Sequence, residues 1–108
     1  MNIRAKAIVW MKKNMAVIAM FERFGHELVQ KQRQFGINLL RERVRYECVY
    51  EYTDKYKFPN DISPYVGRYL LWKHPSWHEY MRCKLTKDEQ NEIVYITDED
   101  LNTEVSKD

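Results

Sequence analysis

Glycine and proline are scarce, with three of each in 108 residues. That is too few for a β-sandwich, which needs a tight turn between successive strands. Cysteine is scarcer still. Cys48 and Cys83 stand apart with no C-x-x-C spacing, which argues against both a disulfide framework and a zinc ribbon. No apolar run approaches the ~20 residues that a membrane-spanning helix needs. The most apolar stretch, IVWMKKNMAVIAMF, is broken by Lys12, Lys13 and Asn14, so it does not read as a signal-peptide core either. Catalytic signatures are missing as well: there is no glycine-rich phosphate loop and no H-E-x-x-H. His74, His78 and Cys83 lie close together, but Pro75 breaks the helix that would align the two histidines as metal ligands. The expectation is one cytoplasmic domain with reduced thiols, no membrane contact, no cofactor and no metal. It is expected not to be an enzyme.

Charge is what the chain has in quantity, and it is unevenly placed. Residues 1–84 hold 16 Lys and Arg against 8 Asp and Glu, whereas residues 85–108 hold 2 against 8. The chain therefore divides into a helical domain, residues 1–85, and an acidic C-terminal extension, residues 86–108. A basic body suits a polyanion or an acidic protein face. It is equally what a solvated surface looks like, and the acidic end, DEDLNTEVSKD, reads as a mobile solubilising tail.

Periodicity predicts a mainly α fold: a small bundle of about four helices, with a short terminal β element allowed. Residues 1–13 make a short helix or an extended arm. Asn14 is placed to cap the next helix, residues 15–34, whose Val17, Phe21, Phe24 and Leu28 share a face. Gly25 is unfavourable inside a helix, so it marks the close approach of another helix. Gly36 is the expected stop, supplying the left-handed residue that closes a helix. A central helix over residues 37–52 buries Ile37, Leu40, Val44 and Cys48. Residues 53–62 are a loop by composition. Ser63-Pro64 then reads as a cap followed by proline at the first helical position, and this third helix ends before Pro75. A fourth short helix covers residues 77–85. Thr86 and Glu89 have capping-box spacing. EIVYIT, residues 92–97, is rich in β-branched residues and could pair with KAIVW as a strand.

Residues 50–82 interleave aromatic and basic side chains. Aromatic faces stack on bases while Lys and Arg neutralise phosphates. Lys55, Tyr56, Lys57, Arg68, Lys73 and Arg82 are the candidate nucleic-acid contacts. The same aromatics also have a plainer use, and Trp72, Trp77 and Tyr80 are assigned to the core. A helix-turn-helix does not fit, because the connection between the second and third helices is too long. Glu42 and Arg45 are expected to form a buried or half-buried ion pair that holds the central helix to the loop or to the helix of Arg68.

FGINLLRERVRYE, residues 35–47, resembles a motif in a family of small phage and prophage helical proteins. Gly36, Ile37, Leu40, Glu42, Val44, Arg45 and Tyr46 carry the first part of the match. Tyr56, Lys57, Phe58, Asn60 and Arg68 carry the loop and following helix, and Pro75, Tyr80 and Arg82 the end. The match spans roughly residues 14–82 and contains no highly specific motif. The chain departs from the pattern in Met15, Pro59, Gly67 and the acidic tail. The resemblance implies a phage origin, a small helical fold and no assigned activity. Combined with the basic aromatic segment, it leads us to expect a non-enzymatic binding protein engaging nucleic acid inside a host cell. The alternative partner is a host nucleoprotein complex, with the chain acting as an anti-CRISPR-like inhibitor of host defence or of transcription. Tyr- and Arg-rich surfaces serve protein interfaces as well.

Overall fold

Asn2 opens the first helix, α1 (Ile3–Lys13), where its side-chain oxygen accepts from the Ala5 backbone N–H at 2.7 Å. Capping satisfies a donor that the first helical turn would leave without a partner. Ala7 and Met11, one turn apart, are the buried face. In the computed structural model, residues 2–51, 60–83, 89 and 92–102 are described, with the side chains of residues 48–51 and 60 outside that description. KAIVW is therefore helix and not an arm.

Asn14 is at once the C-cap of α1 and, as expected, the N-cap of the next helix, but its side chain makes no capping bond to that helix. Its amide donates to the Trp10 carbonyl at 2.8 Å. Its own carbonyl accepts from Val17 and Ile18, so α2 (Met15–Gln30) begins without a spacer. Val17, Ile18, Phe21 and Phe24 turn to the core as the periodicity predicts. The end of α2 corrects the sequence reading. The left-handed residue is Gln32, with φ at 54°, and no described glycine has positive φ. Arg33 N–H bonds to Leu28 O at 3.0 Å and Gln32 N–H to Val29 O at 2.9 Å, which is a Schellman closure. A side chain in that conformation is strained at Cβ. Gln32→Gly is therefore expected to stabilise the chain by about 0.5–1 kcal/mol, measured by urea unfolding, after the extra freedom of glycine in the unfolded state is deducted.

Gly36 instead sits in β1 (Phe35–Gly36), which pairs in parallel with β2 (Met81–Arg82). Phe35 is 1% exposed, and its N–H reaches the Tyr80 carbonyl at 2.9 Å. The β element exists, but it is not built from residues 92–97, which form no strand. α3 (Ile37–Glu51) follows directly and buries Leu40 and Val44. It packs against α2 and α4 (Ser63–Lys73), and α1 covers α4 from another side.

α4 is the helix the others surround: Ser63 and every residue from Tyr65 to Leu71 are buried. Ser63 does not cap it. The helix begins at Ser63 itself, and the Ser63 hydroxyl is buried without a hydrogen-bond partner among the described residues. Pro75 stops α4 as expected, but a 3-10 turn, Pro75–Glu79, replaces the fourth helix. The Tyr80 carbonyl and residues 81–82 are committed to β1, so a helix cannot continue there. α5 (Asp98–Asn102) corrects the mobile-tail reading over residues 98–102, while residues 103–108 lie outside the described ones: Thr97 and Asp100 cap each other reciprocally, at 2.9 and 3.3 Å, and Leu101 is buried. Ile96, with no exposed surface, and Leu101 belong to the same core as Phe21, Phe35 and Leu70. The protein is thus mainly α: five helices among the described residues, four of at least eleven residues, plus a two-strand parallel sheet. No described helix is long and apolar enough to cross a membrane.

Gly25 does mark a close approach, by a ring rather than a helix. A Cβ placed there would lie 2.6 and 2.8 Å from Cζ3 and Cη2 of Trp77. Trp77 is 2% exposed, stacks on His74 with ring centroids 4.4 Å apart, and meets Phe35 edge-on at 6.3 Å.

Candidate nucleic-acid interface

α3 and α4 both start beside the parallel strand pair, and their first turns do not close over it. The result is a cleft of about 290 Å³. Gly36, Ile37 and Asn38 form the wall at the start of α3, Pro64, Gly67 and Arg68 the wall on α4, and Met81, Arg82 and Cys83 the β2 side. Two of the sequence-predicted contacts, Arg68 and Arg82, are thereby brought to one place. Gly67 leaves room on the α4 wall, where a Cβ would come within 3.1 Å of the Met81 methyl, whereas a Cβ on Gly36 would meet nothing within 4 Å.

The two arginines play different parts. Arg68 is expected from the sequence to be a surface contact, and the structure corrects this: the residue is 2% exposed. Its Nε and Nη2 donate to the two carboxylate oxygens of Glu89 at 2.7 and 2.6 Å, and its Nη1 donates to Cys83 Sγ. Glu89 also accepts from the Val94 N–H at 2.7 Å. Burial alone would lower the Arg68 pKa, but the Glu89 hydrogen bond and charge more than offset it and hold the guanidinium charged. Burial also pushes the Cys83 thiol up, Glu89 adds to that and Arg68 opposes it, leaving the thiol raised and protonated. A protonated thiol is a poor nucleophile. Arg68 therefore shapes the cleft, while Arg82 is exposed and able to meet a ligand.

Lys73 is exposed but engaged. It lies 3.0 Å from Glu22, which His74 also contacts at 2.7 Å. Burial would raise the Glu22 pKa, yet His74 and Lys73 hold it below its ordinary value. A depressed carboxylate stabilises the fold fully above its unfolded pKa, about 4.3. That contribution is lost as pH falls through the lower folded value. Acid titration of the melting temperature is expected to show the loss, and Glu22→Gln to flatten that part of the profile. Lys55, Tyr56 and Lys57 lie outside the described residues.

Glu42 and Arg45 do pair, at 3.9 Å, but as neighbours on α3 with both side chains 57% exposed. The pair is therefore neither buried nor a tie to another element, and exposed pairs of this kind contribute little. No family model, curated protein or solved structure matches the chain.

Sequence reasoning missed Glu89 and Asn38. Thr86, the capping-box partner expected of Glu89, lies outside the described residues; the capping box that the structure does show is Thr97-x-x-Asp100. Asp98 and Asp100 also turn inward, to the Tyr69 hydroxyl at 2.6 Å and to Arg4 at 3.3 Å. Burial, then the Asp98 bond, push the Tyr69 pKa up, so its proton stays on to donate. The acidic segment thus fastens to the basic body at Arg4, Arg68 and Tyr69.

Proposed function

We propose that this is a non-enzymatic nucleic-acid-binding protein that seats one unpaired nucleotide in the cleft between α3, α4 and β2. One observation carries the reading: the fixed Arg68 guanidinium holds open a cleft at whose edge Arg82 and Asn38 are both exposed. Ile37, Met81 and Pro64 offer apolar walls to a base, Asn38 offers an amide to its edge, and Arg82 offers a charge to its phosphate. At about 290 Å³ the cleft falls at the small end of ligand pockets, which start near ~300 Å³. That size favours one flipped or terminal nucleotide over a duplex. The resemblance over residues 14–82 supports a phage origin, and with it action inside a host cell.

Fluorescence anisotropy tests this with the whole chain, using labelled single-stranded and duplex DNA at two salt concentrations. Single-stranded DNA is expected to bind more tightly, with a steep salt dependence. Arg82→Ala should reduce the salt slope by about one unit. Absence of binding to either DNA at low salt defeats the proposal. The rival function, inhibition of a host defence or transcription complex, would use the same basic, aromatic surface for a protein contact.

A further inference from the structure

The side chains with hydrogen-bonding groups in the cleft lining are Asn38, Arg68, Arg82 and Cys83. Arg68 is engaged by Glu89 and donates to Cys83 Sγ, and a thiol is only a weak donor. Arg82 is exposed at the edge, where its charge faces phosphate. Asn38 is left to meet the edge of a base. It is the second residue of α3 and is exposed. Helix side chains lean toward the N-terminus, which directs its amide back toward β1 and the cleft. That amide makes no hydrogen bond among the described residues. Beside it the wall is open, because a Cβ on Gly36 would meet nothing within 4 Å. A flat ring can therefore come against the Gly36 backbone, with Ile37 and Met81 as apolar neighbours. The Met81 thioether is a favourable contact for an aromatic ring.

A single amide discriminates among bases by what it leaves unpaired. It offers an acceptor oxygen beside a donor nitrogen. The Watson–Crick edge of adenine carries two polar groups, the N6 amine and the N1 acceptor. The same edge of guanine, cytosine or thymine carries three. One amide therefore pairs the whole adenine edge in a bidentate contact, as asparagine also does with N6 and N7. Any other base keeps a donor or acceptor facing Ile37, Met81 or Pro64 without a partner. Stranding a polar group against an apolar wall costs more than a typical hydrogen bond contributes.

We propose that the cleft selects adenine and that Asn38 is the residue that reads it, an inference that rests on the cleft seating one unpaired nucleotide. The Asn38 oxygen accepts from the N6 amine and its nitrogen donates to N1, while Ile37 and Met81 pack on the ring. Arg82 holds the phosphate and contributes affinity without regard to the base.

Fluorescence anisotropy on the whole chain tests this with short labelled thymidylate oligomers that carry one central adenine, guanine or cytosine, or none. The adenine oligomer is expected to bind about tenfold more tightly than the others, the usual discrimination of one good bidentate pair. Asn38→Ala should bring all of them to the affinity of plain thymidylate. Asn38→Asp should do the same, because a carboxylate accepts from N6 and has no donor for N1. Both variants should melt as the native chain does, since the side chain is exposed. Equal affinities, or a preference for another base, overturn the adenine reading and leave the nucleotide function standing. An adenine preference that survives Asn38→Ala overturns the assignment to Asn38. Calorimetry with free adenosine monophosphate separates the sources of the base. Binding as tight as that of the adenine oligomer keeps adenine as the ligand and overturns nucleic acid as its source. No binding of any oligomer or of the free nucleotide defeats the function and this inference together.

Discussion

Glu89→Gln is expected to destabilise the fold by about 3–5 kcal/mol, the usual effect of stranding a buried charge. The substitution keeps the size of the side chain and removes only the charge. Both members of the pair are 3% exposed at the side chain, and the contact is bidentate, so water cannot replace the lost carboxylate. Arg68→Lys should be nearly as damaging, since an ammonium cannot bridge both carboxylate oxygens. The informative control is the double variant Arg68→Met with Glu89→Leu. Removing both charges removes the desolvation penalty together with the attraction, so the double variant should be more stable than either Glu89→Gln or Arg68→Met alone. Urea unfolding at neutral pH measures all of these. A Glu89→Gln loss below about 1 kcal/mol, the worth of an exposed pair, would show that water reaches this pair.

Trp77→Ala is the second large effect, at about 3–5 kcal/mol, because an indole in full contact leaves a cavity that its neighbours cannot fill. The partner experiment is Gly25→Ala. In the native background the added methyl would overlap the indole ring and should cost about 1–3 kcal/mol. In the Trp77→Ala background the overlap is gone and alanine's helix propensity dominates, so the same substitution should stabilise by up to ~1 kcal/mol. A change of sign between backgrounds is the signature of direct contact. Equal losses in both would mean that Gly25 is needed for some other reason.

The helices over residues 15–30, 37–51 and 63–73 were legible because each carries an apolar face at three- and four-residue spacing. What spacing cannot reveal is a partner distant in the chain. Arg68 reads as a surface cation until Glu89, twenty-one positions away, is brought beside it. Its neighbours Val66, Gly67, Tyr69, Leu70 and Leu71 form an apolar setting that already spoke for burial. Lys73 is exposed, but Glu22, its partner, lies on another helix. β1 and β2 have two residues each, too few to show any period. Gln32 closes α2 because the hydrogen bonds of Leu28 and Val29 demand a left-handed residue at that point, whatever its type. EIVYIT had the composition of a strand and no partner, because KAIVW had gone into α1. The meeting of Arg82, Asn38 and Arg68 at one cleft follows from the packing of α3 on α4, which no local pattern encodes.

The salt bridge between Arg4 and Asp100 joins residues ninety-six positions apart. Closing so long a loop loses more chain entropy than any local contact, and nothing rewards it until the intervening helices are in place. The seam between α1 and α5 should therefore be the last to form as the chain folds. A newly made chain would hold α2, α3 and α4 together before α1 has a complete surface to lie against.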